Sequence, residues 1–116
     1  VHALPEIELL AKRFPDNISL YLCHQNSVPL AGAVVYATPR VAHVQYISAN
    51  ETGKECGALD ILFAELIERV YSGHSYFDFG TSTEQNGRHL NTGLIEQKEG
   101  FGARAIVHDH YEMAIP

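Results

Sequence analysis

Basic residues are scarce in this chain: eight Lys and Arg stand against fourteen Asp and Glu, for a net charge of −6 over 116 residues. Neutralising a phosphate backbone needs a concentrated basic surface, so nucleic acid is set aside as a main partner. RNA is demoted and not excluded, because a local basic patch could survive that balance. Cysteine is scarcer still. Cys23 and Cys56 have neither metal-ligand spacing nor the density of a secreted disulfide framework, and read as isolated thiols in a reducing compartment. No apolar run is long enough for a membrane-spanning helix, and no charged-then-apolar leader opens the chain. Internal repeats, low-complexity tracts and linkers are also missing. The first residue is Val1, which reads as an excised domain or a processed product.

What is present is ordinary globular composition, 46% hydrophobic and 19% charged, enough for one core. The expectation is a single domain over residues 1–116, with a leading helix over 1–15 and a core over 17–113. "LPEIELLAKRF" carries Ile7, Leu10 and Phe14 at helical spacing behind Pro5. "ISLYLCHQ" alternates as a strand. "LAGAVVYAT" is a nearly continuous apolar strand, expected to be buried on both faces. "VAHVQYIS" is a third strand, with Val44 and Tyr46 on one face and His43, Gln45 and Ile47 on the other. A polar loop, "ANETGKECG", leads to the clearest helix, "ALDILFAELIERVYSG", whose expected apolar stripe is Leu59, Leu62, Leu66, Ile67 and Val70, with Gly73 as its stop. "SYFDFG" reads as a short buried strand, "RHLNTGLIEQKEGF" as a helix and "ARAIVHDHYEMAI" as the last strand. The class is therefore α/β of the α+β type: an antiparallel meander, then β-α-β-α-β, in a mixed sheet with helices packed on it.

The polar stretch Thr81–Arg88 follows a strand end, where ligands of open α/β sheets bind. Asp78 and Glu84 are the candidate proton acceptors, and Thr81, Ser82, Arg88 and Asn91 could orient a polar acceptor. A plainer reading stands beside this one at even weight: Ser, Thr and Asn side chains, Asn86 among them, cap the next helix. Capping leaves Asp78 unexplained, since a carboxylate within "YFDFG" needs a partner, for which Arg88 and Lys98 are the candidates. Asn91 and Gly93 are odd inside a helix and read more readily as packing than as ligand contacts. His108 and His110 share a strand face, but no third ligand is suitably spaced, so no metal is expected. Cys56 as a helix-terminal nucleophile lacks a base evident in the sequence.

The element order, the glycine-bearing loop before the long helix, and "YFDFGTSTEQNG", "LNTGLIEQKEGFG" and "GALDILFAELI" together resemble the GNAT N-acyltransferase fold over about residues 17–113. The likeness is closest to its FemAB-like and related bacterial branch, as the C-terminal part of a longer protein. The resemblance implies an acyl-CoA such as acetyl-CoA, or in the Fem branch an aminoacyl-tRNA, as donor. It implies a small-molecule or peptide-like amine as acceptor, a cytoplasmic location, and allows a homodimer. It places the donor's pyrophosphate against Gly53, Lys54, Cys56, Gly57 and Ala58, puts the oxyanion near the backbone of Val44–Ile47, and sets Tyr46 among the substrate contacts. Two departures accompany it. Leu59 stands where the family's second small residue belongs, and Glu96 stands at the spacing of a tyrosine that protonates the leaving thiolate. A non-catalytic binding or assembly domain that keeps the fold is the alternative, and a tRNA-dependent transferase is a third reading.

Overall fold

The computed structural model describes residues 2–116, whose contacts group into two units, one ending at Thr81 and one running Ser82–Pro116. In the first unit, α1 (Leu4–Arg13) precedes three strands, β1 (Ile18–Gln25), β2 (Val28–Ala37) and β3 (Val41–Ala49). They pair antiparallel in sequence order, as their short connections require. Two short helices follow, α2 (Glu51–Glu55) and α3 (Ala58–Glu65), and the chain continues from α3 through a π-helical turn, Leu66–Val70. Strand β4 (Tyr76–Asp78) then joins the sheet parallel to β3, giving the order β1-β2-β3-β4. This is the expected meander followed by a crossover helix and a parallel strand.

Residues alternate across β2 and β3, so Ala31, Ala33, Val35, Ala42 and Val44 all point to one face and are buried. Helix α3 covers that face over β1 and β2, bringing Ala58, Leu62 and Phe63 to it, and the π-helical turn adds the buried Leu66. Leu62 and Leu66 belong to the expected stripe, whereas Phe63, outside it, is 1% exposed. Its ring meets Phe79 and Phe77 edge-on, with centroids 5.1 and 6.3 Å away. Beyond the π-helical turn, the Tyr71 hydroxyl lies 2.9 Å from that of Tyr21 on β1, tying the end of the helix back to the sheet. Burial first, then this hydrogen bond, pushes the Tyr71 phenol well up.

Three local expectations give way here. The loop before α3 contains α2, because Asn50 caps it: its Oδ1 accepts the Gly53 N–H at 2.7 Å, and its Nδ2 donates to the Pro29 carbonyl at 2.9 Å. The "SYFDFG" strand is not buried throughout; Phe77 and Phe79 turn inward, while Tyr76 and Asp78 lie exposed on the opposite side. In β3, Tyr46 does not share a face with Val44. Val35 pairs with Val44 but Val34 pairs with Tyr46, so Gln45 is an extra, bulged residue that reverses the alternation.

In the second unit, β5 (Thr83–Glu84) and β6 (His89–Leu90) form a two-residue ladder, followed by α4 (Thr92–Gly100). The helix expected over "RHLNTGLIEQKEGF" therefore starts four residues late. Gln85, Asn86 and Gly87 all take positive φ, a backbone that turns a hairpin and cannot continue as a helix. The expected last strand is not formed: no residue from Ala103 to Pro116 lies in a helix or strand. A strand pattern becomes a strand only beside a partner edge. Ile106, Val107, Tyr111, Met113 and Ile115 are 71–91% exposed instead.

Candidate active site

Strands β3 and β4 stay paired for three residues only, Val41 with Tyr76, Ala42 with Phe77 and His43 with Asp78. Strand β4 ends there, whereas β3 runs on to Ala49. Past His43 the chain of β3 thus has a strand on its β2 side and none on its β4 side. The bulge at Gln45 falls within this stretch, and a bulged residue drops out of the hydrogen-bond ladder.

At the apex, cross-strand pairing puts His43 and Asp78 on the same face. His43 Nδ1 lies 2.7 Å from Asp78 Oδ2, and His43 Nε2 lies 3.0 Å from Gln45 Oε1. The other carboxylate oxygen of Asp78, Oδ1, accepts the Gly80 N–H at 2.8 Å. Gly80 has φ +75°, and a Cβ there would sit 3.4 Å from His43 Cε1, so its backbone closes over the imidazole edge. The partner of Asp78 is therefore a histidine from the neighbouring strand, where the sequence points to Arg88 or Lys98. Sequence reasoning does not single out His43 and Gln45 as site residues. The available signals are their shared strand face and the unexplained carboxylate in "YFDFG"; which strand lies beside β4 is not among them.

Next to His43 in register is Tyr36 of β2. The Tyr36 hydroxyl is enclosed and has no hydrogen-bond partner among the described residues. Burial, with a smaller contribution from Tyr46, raises its pKa, so it stays a neutral phenol. Tyr46, one residue past the bulge, holds its hydroxyl 2.7 Å from His2 Nδ1 and accepts the His2 N–H at 3.1 Å. On the same face a 360 Å³ hollow is bordered by Leu20, Leu22, Gly32, Val34 and Tyr46.

The expected phosphate-binding residues lie at the α2–α3 junction. Gly57 is the N-cap of α3 in the left-handed conformation, φ +70°, and no side chain caps the helix. A Cβ at Gly57 would meet the Asp60 carboxylate at 3.4 Å and no other neighbour. Ala58 is fully buried, and the Cys56 thiol faces the Gly53 carbonyl at 3.7 Å. Lys54 pairs with Glu51 at 3.0 Å. Gly53 serves packing instead, since its N–H is taken by Asn50 and its α-carbon lies against the Leu30 carbonyl.

In the second unit, Asn91 is the N-cap of α4 and not a helix-interior residue. Its Oδ1 accepts the Leu94 N–H at 3.0 Å, its N–H reaches the Ser82 carbonyl at 2.9 Å, and its Nδ2 donates to Glu84 Oε1 at 2.8 Å. Helix capping thus falls to Asn91, and Asn86 serves the hairpin. Arg88 closes that turn through its N–H to the Gln85 carbonyl at 3.3 Å. Replacing Asn91 by alanine is expected to loosen α4 by about 1 kcal/mol, the usual cost of a lost cap. Amide hydrogen exchange at Leu94 and Ile95 should speed up about fivefold while the first unit is unchanged.

The described residues contain no group of three or more His, Cys, Asp and Glu side chains able to hold a metal ion. None of their helices is long and apolar enough to cross a membrane.

Comparison with known proteins gives these observations a family. The model of the family described as "Acetyltransferase (GNAT) domain" matches residues 5–87. Among solved structures, the chain is similar to AAC(6')-Iy in complex with a bisubstrate analogue of CoA and monomethyl-acetylneamine. That match has a TM-score of 0.67 at 13% identity and covers 99% of this chain and 82% of the other. An acetyltransferase of Trypanosoma brucei gives a TM-score of 0.65 at 18% identity, over 96% and 78% of the two chains. A ribosomal-protein-alanine N-acetyltransferase from Brucella melitensis biovar Abortus gives 0.51 at 16%, over 93% and 80%. A search of curated proteins gives no match. At such identities the structures speak for the fold, while the family match spans well over half of the sequence: the chain belongs to the acetyltransferase (GNAT) domain family.

Proposed function

We propose that this domain transfers an acyl group from an acyl-CoA thioester, acetyl-CoA foremost, to the amine of a small-molecule or peptide-like acceptor. The observation that carries the reading is the opening of the sheet beyond His43 and Asp78, with the bulge at Gln45 set into it, in a chain of this family. Similar structures include an aminoglycoside N-acetyltransferase in complex with CoA, which supports the choice of donor. The thioester supplies an activated carbonyl with a thiolate leaving group.

The residues present fit such a donor. The α3 N-terminus has a glycine at its mouth, no side-chain cap and the positive end of the helix dipole, features that suit a pyrophosphate. Cys56, Gly57 and Ala58 would hold it there, with Lys54 one turn earlier. Asp60 in the first turn competes for the same donors and weakens the site. Backbone N–H groups of β3 between Val44 and Ile47 would steady the carbonyl oxygen as negative charge develops on it. Tyr46 and Thr81 are the acceptor-side groups of this reading in the first unit. The residues would work mainly by orientation, without a protein nucleophile. The finer assignment is to the FemAB-like branch, on "YFDFGTSTEQNG" and "LNTGLIEQKEGFG", with residues 1–116 acting as one unit in the cytoplasm.

A thermal-shift titration tests the donor. At a hundredfold excess over Kd, acetyl-CoA should stabilise the protein by about 2.7 kcal/mol. Gly57→Asn, which tolerates the left-handed backbone but crowds the helix mouth, should abolish most of the shift and leave the ligand-free midpoint nearly in place. No shift with any acyl-CoA, from acetyl to long-chain, would defeat the reading.

A further inference from the structure

We propose that His43 is the group that takes the proton from the acceptor amine, and that Asp78 is a positioning residue that acts through it. This inference rests on the acyltransferase reading and assigns a role that reading leaves open. Asp78 is the carboxylate the sequence suggests for that role, but both its oxygens are already engaged, one by the His43 ring and one by the Gly80 N–H. A carboxylate bonded at both oxygens holds a neighbour in place better than it accepts a further proton. Carboxylates as a class also titrate well below the range useful for catalysis near neutrality, whereas imidazoles titrate within it.

Asp78 is placed to hold one tautomer of the neutral ring. With Nδ1–H donated to Asp78 Oδ2 at 2.7 Å, the basic lone pair of the neutral imidazole is on Nε2. Gln45 Oε1 lies 3.0 Å from Nε2, placed to accept a hydrogen bond once that nitrogen is protonated. The Gln45 amide must swing off Nε2 for the acceptor nitrogen to take its place there. The ring is a third exposed, which leaves it reachable, and the Gly80 backbone confines its Cε1 edge. Of the groups facing it, Asp78 comes from β4, Gln45 from its own strand and Tyr36 from β2. The Tyr36 phenol stays neutral, so the charge that opposes the imidazolium is that of Asp78.

The step balances. The acceptor nitrogen bonds to the thioester carbonyl carbon as the C–S bond breaks, and the bonding pair leaves on sulfur. The nitrogen gives one proton to His43 Nε2, which returns it to the departing sulfur. The products are an amide and a free thiol, and His43 is reset.

The test uses the full chain with acetyl-CoA as donor, neamine and an alanine-initiated peptide as acceptor probes, and thiol release as readout. His43→Gln should lower kcat by about 10²- to 10⁴-fold, the span of general acid–base catalysis. It should remove the acidic limb of the pH profile and leave the acetyl-CoA thermal shift intact. Asp78→Asn should cost less, because the ring loses the carboxylate that fixes its tautomer but keeps its basic nitrogen. Nitrogen-detected NMR of the ligand-free protein adds a readout independent of turnover. The His43 ring should carry its proton on Nδ1 when neutral, and Asp78→Asn should redistribute that proton between the two ring nitrogens. A His43→Gln protein that keeps kcat and the acidic limb would overturn the proton role of His43. An unchanged tautomer in Asp78→Asn would overturn the positioning role. Absence of both acetyl-CoA binding and turnover in the unsubstituted protein would overturn the acyltransferase reading and this role with it, whatever the NMR shows.

Discussion

Phe63→Ala is expected to lose about 3–5 kcal/mol of stability, the cost of removing a large ring from a filled core. The ring is 1% exposed and meets Phe77 and Phe79 edge-on, so its removal leaves a void between the two elements that it joins, its own and the one bearing those rings. Those elements are α3 and the β4 segment, and β4 is held to the sheet by three residue pairs alone. A domain of this size is stable by about 5–15 kcal/mol, so the loss is a large share of the whole. Urea unfolding should show the midpoint falling with little change in slope. The same substitution should disturb the His43–Asp78 pair, because Phe77 and Asp78 are successive residues of one short strand. A loss below about 1 kcal/mol would mean that Phe63 is not the hub of this core.

The second large effect is expected at Gly53, and there the sign is the informative part. Within a helix, exchanging glycine for alanine ordinarily stabilises by about 1 kcal/mol. At Gly53 a Cβ would lie 2.1 Å from the Leu30 carbonyl oxygen and 2.8 Å from its carbon, both main-chain atoms. Neither can swing aside as a flexible side chain would, so α2 must lift from β2. Overpacking of this kind costs about 1–3 kcal/mol and at times more, which outweighs the helix gain. Gly53→Ala should therefore lower the thermal midpoint by several degrees without any ligand present. A glycine that served only to admit a phosphate would behave otherwise, keeping its stability and losing acetyl-CoA affinity. That contrast separates Gly53 from Gly57, two glycines that look alike in "TGKECGA".

Much of the fold was legible because its signals are local. Strand alternation in "ISLYLCHQ" and "LAGAVVYAT", helical spacing in "ALDILFAELIERV" and turn residues between them gave the meander and the crossover helix. Some misses were local as well. Asn50 and Asn91 are ordinary caps, and reading them as such would have found α2 and the true start of α4. The missing last strand is a different case. The alternation in "ARAIVHDHYEMAI" states a propensity, and propensity is realised only where an edge is available to pair with.

The sequence by itself determined the order of the meander and crossover helix, the family resemblance and the unusual carboxylate in "YFDFG". Those follow from periodicity, turn chemistry and motif, all of which reside within a few consecutive residues. Only the tertiary structure decided that Asp78 meets His43, that Gln45 is bulged, and that Gly53 packs while Gly57 stands open. Each of these depends on which strand lies beside which and in what register. A shift of one residue would turn the opposite side chain toward the partner, and the chain states no register until the sheet is assembled.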